Sequence, residues 1–243
     1  MKHQSERLDQ QLEEQLRALG IELSAQERAA EIEYLLALLE VNERINLTRI
    51  TEPSTALRLH VVDSLAALPE LRTAPNGAVV DMGSGGGFPG VPLAIATGRP
   101  FTLLDSVAKK GAAVGDVLRG LSCWLPTAHI VSQRAEELAL LHRGEFAAVV
   151  VRAMASLPSL VELASPLLGK GGLLIALKGR PNSAERESGS EVAALVGMSE
   201  CGWRELGLPG GGELRTIATY AKDGISRVSV PRRTGLAQNT PLA

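Results

Sequence analysis

The sequence predicts an α/β fold in which helices cover both faces of a doubly wound, mostly parallel sheet, with a helical extension at the N-terminus. Short β-rich runs alternate with helical or turn-rich segments from Ala78 onward, whereas the beginning of the chain has apolar residues at helical spacing. The predicted strands span residues 79–81, 101–105, 129–132, 147–151, 173–177 and 214–220. We therefore expect a helical extension over residues 1–70, a sheet domain over 71–222 and a basic tail over 223–243.

Three helices are predicted before the first strand. Leucines recur at helical spacing in the first of them, at Leu8, Leu12, Leu16 and Leu19. Apolar residues recur in the second at Ile32, Leu35, Leu36 and Leu39. Ser24 followed three residues later by Glu27 is typical of a capping box at the start of the second helix. The third helix is predicted from residue 54 to residue 67, after Pro53.

Composition narrows the class of protein. The chain has 243 residues, 45% of them hydrophobic, which suffices for a sizeable core. No apolar run reaches the ~18 residues that a membrane span needs, and the polar N-terminus lacks the apolar core of a secretory signal. Cys123 and Cys201 have no metal-type spacing, which indicates reduced thiols and no metal site. We expect a cytoplasmic monomer.

The charges are unevenly distributed along the chain. The net charge is −2, but residues 1–43 hold ten acidic and four basic residues, a local net charge of −6, which leaves +4 for the rest. No acidic residue follows Asp223, while Arg227, Arg232 and Arg233 do. A mildly basic body with a basic tail is compatible with binding a phosphate backbone, although a run of charge is more often a solvated surface.

The most informative segment is Asp81-Met82-Gly83-Ser84-Gly85-Gly86-Gly87-Phe88-Pro89-Gly90. It follows a buried apolar run and precedes a predicted helix, in whose first turn Pro89 can lie. Its five glycines allow positive φ and bring bare backbone N–H groups close to a ligand. This order of strand, glycine turn and helix is typical of a nucleotide-cofactor site.

Two registers of the glycine turn predict different cofactors. Residues 85–90 match the G-x-G-x-x-G fingerprint of a dinucleotide site, which would suit an NAD(P)-dependent oxidoreductase. Gly83-Ser84-Gly85-Gly86-Gly87 after Asp81 instead resembles the first motif of S-adenosylmethionine-dependent methyltransferases. Asp81 would repel the pyrophosphate of a dinucleotide and attract the ammonium and sulfonium of S-adenosylmethionine, which favours the second register.

Polar residues follow the predicted strands where a ligand of an open α/β sheet binds. They are Asp81 on the first strand, Asp105 on the second, Arg152 on the fourth and Lys178 on the fifth. Asp105 lies 22 residues after Gly83, about where an acid bonds a ribose diol, or it caps the next helix. Arg152 ends a buried valine run and needs a partner, for which Asp81, Asp105 or a bound guanine or phosphate are candidates.

Further motifs in the same chain resemble the RsmG (GidB) family. Besides the glycine turn, they are Asn46-Leu47-Thr48, residues 59–65, Leu103-Leu104-Asp105-Ser106, Arg134-Ala135-Glu136-Glu137, residues 152–156, Leu177-Lys178-Gly179 and residues 231–235. They occur in family order and cover roughly residues 20–243. The family consists of bacterial class I, Rossmann-like methyltransferases that move a methyl group from S-adenosylmethionine to N7 of one guanine in 16S rRNA.

The resemblance implies S-adenosylmethionine as cofactor and a set of binding residues: Gly83, Phe88, Ala135, Glu136 and Arg152. The motif chemistry adds Asp81, Gly85 and Asp105. Glu136 with the Ala135 amide would bind an adenine edge, or Glu136 would be a first-turn acid favoured by the helix dipole. Arg152 would position the guanine, and no general base is expected because N7 carries no proton. His60 is predicted to be a buried, hydrogen-bonded histidine, with a role in shaping the cofactor or guanine pocket as the alternative.

Several cations are candidate contacts for 16S rRNA in the small subunit or in an assembly intermediate. Lys109 and Lys110 are predicted in the first turn of a helix, where cations oppose the dipole, and RNA phosphate would explain them. The same surface would include Lys178, Arg180, Arg232 and Arg233. Alternatives to this function are a methyltransferase acting on a protein or small molecule, an NAD(P)-dependent oxidoreductase and a non-enzymatic RNA-binding or assembly protein.

Overall fold

A computed structural model describes residues 2–121 and 128–243 of the chain, with the side chain of Lys2 excepted. Within those residues it contains a seven-stranded sheet with the strand order β3-β2-β1-β4-β5-β7-β6. The strands are β1 Val79–Met82, β2 Phe101–Leu104, β3 Ala128–Val131, β4 Phe146–Arg152, β5 Leu168–Lys178, β6 Ser199–Gly207 and β7 Leu214–Ala221. Cys123 and Trp124 lie outside the described residues.

The predicted fold class is confirmed. Strands β1 to β5 pair in parallel, and β7 pairs antiparallel with both β5 and β6. Each of the six predicted strands is present with shifted ends, for example β3, which was predicted over residues 129–132. The sequence-based prediction lacked β6, whose residues are all exposed or half-buried at the sheet edge. Its polar, glycine-containing sequence carries little of the β-branched enrichment that marks the inner strands.

The helices lie between and beside these strands. They are α1 Lys2–Ala18, α2 Ala25–Asn42, α3 Pro53–Ala56, α4 Asp63–Leu65, α5 Leu68–Thr73, α6 Gly90–Thr97, α7 Ala108–Gly120, α8 Ala135–Leu141, α9 Leu157–Ala164, α10 Ser183–Val196 and α11 Leu236–Asn239. The predicted capping box of α2 is confirmed: the Glu27 amide donates to Ser24 Oγ at 3.2 Å, and the Ser24 amide donates to Glu27 Oε2 at 2.6 Å. Among the described residues, no helix is long and apolar enough to cross a membrane.

The third predicted helix contains a π-helical turn. Glu52 accepts hydrogen bonds from the amides of Ser54 and Thr55 and caps α3, which continues through a π-helical segment, Leu57–Val62, into α4. π-Helical turns insert one extra residue per turn and are frequent at functional sites. Here the turn contains His60 and is followed by Asp63, and both side chains are buried. This segment therefore presents polar side chains to the protein interior.

The sheet is buried on both faces. Successive residues of β4 alternate between two apolar clusters: Val150 belongs to the cluster with α1, α2, α6 and α7, whereas Val149 and Val151 belong to the cluster with α8, α9 and α10. A parallel strand covered on both sides has such a continuous apolar sequence. Leucines of α1 and α2 share the first cluster with β1 and β2, so the N-terminal helices and the sheet have a common core.

Candidate functional site

The glycine turn joins the end of β1 to the start of α6. Gly83, Gly85 and Gly87 have φ values of 80°, 54° and 81°, which side-chain-bearing residues rarely adopt. A Cβ at Gly87 would lie 2.2 Å from the Tyr34 hydroxyl, so this position also needs glycine for space. Gly83 faces a pocket of about 210 Å³ at the carboxyl ends of the strands. At Gly83 the turn therefore presents backbone without a side chain to a ligand-sized space, but the Gly83 amide donates to the Leu104 carbonyl at 2.8 Å and is not free as the sequence predicted.

Asp81 supports this turn from inside the protein. Its side chain is fully buried, and its Oδ2 accepts a hydrogen bond from the Gly90 amide at 2.8 Å. Burial raises the pKa of Asp81 to about 7. The prediction that Asp81 contacts the cofactor does not match this geometry, because the carboxylate does not line the pocket. Its direct contact is with the backbone at the start of α6.

Gly90 packs against β1 and β2. A Cβ at this position would lie 2.5 Å from Leu103 Cδ2 and 2.6 Å from Asp81 Oδ2. Its amide is bound by Asp81 and is not free for a phosphate, which disfavours the dinucleotide register. Pro89 was predicted in the first turn of α6 but is the N-cap residue, one position earlier.

Asp105 connects the glycine turn to the segment that enters α7. Its Oδ2 accepts from the Gly85 amide at 2.9 Å, and its Oδ1 accepts from the Val107 amide at 2.8 Å. Gly85 thus supplies a backbone donor to Asp105 and does not itself line the pocket. Asp105 does line it, and each carboxylate oxygen keeps a second lone pair that can accept from a hydroxyl. The ribose contact remains a prediction that this position permits.

The pocket collects residues from the ends of β1, β2, β3 and β4 and from the C-terminal segment. Its lining residues are Met82, Gly83, Leu104, Asp105, Ser106, Gln133, Arg134, Ala135, Glu136, Ala153, Met154 and Gln238. Ala153 has a φ of 52°, which is rare for alanine and common at ligand sites. Of the predicted cofactor residues, the pocket brings together Gly83, Asp105, Ala135 and Glu136.

Glu136 is bound to the C-terminal tail. Its Oε1 accepts from the Gly235 amide at 2.7 Å, and the side chain is buried. It lies in the first turn of α8, as the helix-dipole interpretation expected, and it also lines the pocket. One oxygen of the Glu136 carboxylate is therefore occupied by a hydrogen bond from the C-terminal tail.

Arg152 lies beside the glycine turn within a cluster of polar and aromatic side chains. Its Nη1 donates to the Leu59 carbonyl at 2.8 Å and to Asp63 Oδ2 at 3.0 Å. The guanidinium carbon lies 5.6 Å from the centre of the Phe88 ring. We expected Asp81 or Asp105 as a protein partner of Arg152, and the structure corrects this expectation. The partner is Asp63, which is buried and also binds Arg215 at 2.8 Å.

His60 completes this cluster and is neutral. Its ring stacks on Phe88 with 4.8 Å between centres, and burial together with the Arg152 charge lowers the pKa of the imidazole to about 4. Arg152 Nη2 lies 3.4 Å from Nδ1, and Thr48 Oγ1 lies 2.8 Å from Nε2. The expectation of a buried, hydrogen-bonded histidine is met.

Tyr34 was not predicted at the site. Its hydroxyl donates to the Gly86 carbonyl at 2.8 Å, and its ring packs edge-on against Phe88 with 5.8 Å between centres. Tyr34 lies on α2 among buried apolar residues, so helical periodicity marks it only as core. The feature of the sequence that could have identified Tyr34 is its hydroxyl, because a buried tyrosine usually has a hydrogen-bond partner.

The predicted RNA-binding cations separate into two groups. Lys109, Arg180 and Arg233 are exposed, and Lys110 lines a groove of about 1140 Å³ between α2, residues 43–53 and α7. By contrast, Lys178 pairs with Glu185 at 2.8 Å and donates to the Ala155 carbonyl at 2.7 Å.

Arg232 is likewise bound within the fold, since it pairs with the buried Glu162 at 2.7 Å. The interpretation of Lys178 and Arg232 as free phosphate contacts is therefore corrected: both join parts of the protein.

Gly111 and Gly115, weak helix formers in α7, have a packing function. A Cβ at Gly111 would lie 2.9 Å from Ile130 Cγ2, and one at Gly115 would lie 3.0 Å from Ile130 Cδ1. The two glycines therefore let α7 approach β3 closely. This approach positions the first turn of α7, with Lys109 and Lys110, at the edge of the groove.

Several known proteins with similar sequences share one name. The family model GidB, described as rRNA small subunit methyltransferase G, matches residues 27–205. The ribosomal RNA small subunit methyltransferase G of Deinococcus radiodurans is 37% identical over 232 residues, which cover 92% of this chain and 88% of that protein. The protein of the same name from Chloroflexus aggregans is 34% identical over 228 residues, covering 93% and 94% respectively.

Solved structures with the same fold include methyltransferases. Magnesium protoporphyrin IX methyltransferase from Synechocystis PCC 6803 with bound SAM aligns with a TM-score of 0.53 at 16% identity, covering 70% of this chain and 81% of that chain. M. jannaschii TYW2 in complex with AdoMet aligns with a TM-score of 0.51 at 12% identity, covering 65% and 76%. These similarities concern the fold, which is the class I methyltransferase fold.

Proposed function

Because the chain belongs to the GidB family of small-subunit rRNA methyltransferases, we propose that it transfers a methyl group from S-adenosylmethionine to N7 of a guanine in 16S rRNA. The observation that carries this proposal is the pocket at the strand ends, in which bare backbone of Gly83 and the carboxylate of Asp105 lie together. Arg152 immediately precedes Ala153, which lines this pocket.

The residues of the pocket fit the cofactor. Gly83 leaves room beside Met154, whose Sδ would lie 3.1 Å from a Cβ at that position. Asp105 offers acceptor lone pairs to a ribose diol, and the α8 end of the pocket offers the Ala135 backbone and polar side chains to an adenine. S-adenosylmethionine supplies an electrophilic methyl group on a sulfonium and leaves as a neutral thioether. The pocket thus has polar groups for the nucleoside beside glycine backbone.

The protein does not need to remove a proton in this reaction. Guanine N7 carries a lone pair and no hydrogen, so it attacks the methyl carbon directly. His60 is neutral, with its pKa at about 4, and both oxygens of Asp63 are bound to arginines. The cluster therefore fixes the positions of its side chains. Alignment of reacting groups alone is worth up to about 7–11 kcal/mol in well-oriented systems.

Arg152 is the group that we assign to the guanine. Asp63 and the Leu59 carbonyl fix one edge of its guanidinium, and the aromatic face of Phe88 lies beside it. A guanidinium donates readily to guanine O6, which adjoins N7 on the same base edge. Arg152 therefore orients the base and leaves N7 free for the methyl group.

The substrate guanine must be unpaired or splayed out of a helix. The major groove of A-form RNA is too narrow for side chains to reach N7. Positive charge for the adjoining phosphates comes from Lys109, Lys110, Arg180 and Arg233. Contacts to phosphates fix the register of the RNA but do not distinguish its sequence. We expect the target to lie in a loop or junction of the rRNA.

The direct test is methyl transfer from labelled S-adenosylmethionine to small subunits that lack the modification. We expect one labelled guanine, identified as N7-methylated by base-specific strand cleavage, with free 16S rRNA and assembly intermediates compared in parallel. Label on another atom or on protein would contradict the proposal. Tight NAD(P)H binding with no response to S-adenosylmethionine or S-adenosylhomocysteine would favour the oxidoreductase alternative.

A further inference from the structure

One lining residue of the pocket comes from the C-terminal end of the chain. Gln238 lies on α11, whereas every other lining residue falls between Met82 and Met154. The side chain is half-buried. A neutral carboxamide at the edge of a nucleoside-sized pocket carries one acceptor and two donors at the same end of a side chain.

The backbone just before α11 is attached to the pocket. The Gly235 amide donates to Glu136 Oε1 at 2.7 Å, and Gly235 has a φ of 84°, which favours glycine at this turn. Gln238 follows within the same helical turn, so it lies at the end of the pocket formed by the start of α8. The buried carboxylate of Glu136 thus holds α11 at that end of the pocket.

A second buried carboxylate holds the same segment against α9. Arg232 donates to both oxygens of Glu162, at 2.7 and 2.8 Å, and to the Thr240 carbonyl at 2.6 Å. The Leu242 amide donates to Glu162 Oε2 at 3.2 Å, and Ala237 is buried in the core. The donors bound to the Glu162 carboxylate and the buried side chain of Ala237 together fix the C-terminal segment before a ligand binds.

We propose that Gln238 is a specificity-determining residue of the cofactor pocket, whose carboxamide binds the edge of the adenine, and that the C-terminal segment is part of the cofactor site. This inference rests on the proposed function. Adenine presents its N7 acceptor beside the 6-amino donor, and a carboxamide matches both at once. Discrimination arises because a base with a 6-oxo group presents two acceptors at this edge, N7 and O6, which leaves the carboxamide oxygen without a donor.

The test measures binding of two ligands to the full-length protein by calorimetry. The ligands are S-adenosylhomocysteine and its inosine analogue, in which oxygen replaces the 6-amino group. Gln238→Met keeps the unbranched shape and removes both polar groups. We expect it to bind S-adenosylhomocysteine about tenfold more weakly than the wild type and to lose most of the preference over the inosine analogue. Asn239→Ala, an exposed position on the same helix, is the matched control and is expected to retain wild-type affinity and preference.

Two results would overturn the inference. One is wild-type affinity of Gln238→Met for S-adenosylhomocysteine, and the other is an equal loss for both ligands, which would indicate packing only. Thermal unfolding shows whether each variant is folded, and Gln238→Glu repeats the comparison with a different side chain if Gln238→Met is unstable. If the wild type binds neither ligand, the proposed function fails as well, so the two failures are distinguishable.

Discussion

Gly90 shows how one residue without a side chain connects the strand, the turn and the helix of the site. Its amide is bound by Asp81, and its α-carbon lies against Leu103. A methyl group there would contact atoms of both residues at well under van der Waals distance. Because β1 and β2 are each paired with a strand on both sides, neither neighbour can move away easily.

Gly90→Ala is therefore expected to lower the free energy of unfolding by about 1–3 kcal/mol through overpacking. It should also weaken S-adenosylhomocysteine binding, because the glycine turn would shift. Chemical denaturation and calorimetry measure the two effects. Gly120→Ala is the control, since a Cβ there meets no atom within 4 Å, and alanine favours the helix. Equal stability of the two variants would contradict this account.

Glu31 is a buried carboxyl whose ionisation opposes folding. It is fully buried on α2, and burial, with the nearby charge of Glu27, raises the pKa of Glu31 well above its ordinary value. The folded protein therefore retains a proton that the unfolded chain releases, so stability falls as pH rises from the ordinary carboxyl pKa to the folded value. Below the ordinary value this penalty is absent.

Glu31→Gln mimics the protonated carboxyl and should be more stable than the wild type at pH 8. The difference should shrink toward zero at pH 4, where Glu31 is protonated in both states. Glu33→Gln, an exposed neighbour on the same helix, serves as control and is expected to stay within about 0.5 kcal/mol of wild type. Urea unfolding at several pH values measures both, and a pH-independent difference for Glu31→Gln would argue against a buried proton.

Arg152→Lys tests whether the shape of the guanidinium matters beyond its charge. Lysine retains the positive charge but loses the planar guanidinium, whose Nη1 binds the Leu59 carbonyl and Asp63 while its Nη2 lies beside His60. We expect kcat for methyl transfer to fall by roughly tenfold or more, with a smaller change in S-adenosylhomocysteine affinity. Arg119→Lys, an exposed position paired with Asp116, should keep wild-type kinetics. An unchanged kcat in Arg152→Lys would contradict the assignment of Arg152 as the residue that positions the guanine.

At the scale of elements, α2 forms one side of the cofactor turn. Tyr34 hydrogen-bonds the Gly86 carbonyl, and Leu38 lies 3.5 Å from where a Cβ of Gly86 would be. The predicted boundary at residue 70 separates α2 from the sheet domain along the chain. In space, α2 contacts the glycine turn and shares the core beneath it.

Tyr34→Phe removes only the hydroxyl that joins α2 to the turn. We expect a loss of about 0.5–1.5 kcal/mol in the free energy of unfolding and several-fold weaker S-adenosylhomocysteine binding. Tyr220→Phe removes the same group from a buried tyrosine of β7, away from the turn, and should leave cofactor affinity unchanged. If both variants bind the cofactor like the wild type, α2 supports the fold without affecting the site.

At the scale of the whole molecule, the first turn of α7 brings positive charge to a groove that α2 also lines. Lys109 and Lys110 lie in the first turn of α7, where helix electrostatics disfavours them, and the groove adjoins them. Replacing both with alanine should weaken RNA binding and reduce its salt slope by roughly 1.4–1.8, at ~0.7–0.9 per phosphate contact. Cofactor affinity should not change.

Filter binding at several salt concentrations measures this slope. The control is Arg17→Ala with Arg119→Ala, which removes two exposed arginines that pair with neighbouring acids on their own helices. An equal reduction of the slope in both double variants would mean that net charge, and not the first turn of α7, governs RNA binding. Arg232→Ala, by contrast, is expected to destabilise the tail because it leaves the buried Glu162 without its main partner.

Much of the fold and part of the site followed from local sequence patterns. The strand runs, the capping box of α2, the glycine turn and Asp105 each depend on residues close together in the chain, so periodicity and turn chemistry identified them. Edge strand β6 lacked such a pattern, because an exposed edge does not require alternating apolar residues.

The sequence by itself determined the doubly wound sheet, the glycine turn at its centre and the resemblance to a methyltransferase family. Only the tertiary structure decided which charges serve the site and which serve the fold: Arg152 with Asp63, Arg232 with Glu162, and Glu136 with the backbone of Gly235. The physical reason is that a buried charge must find a partner, and that partner comes from whichever segment the fold brings within hydrogen-bond distance. The spacing of residues along the chain does not predict such pairs.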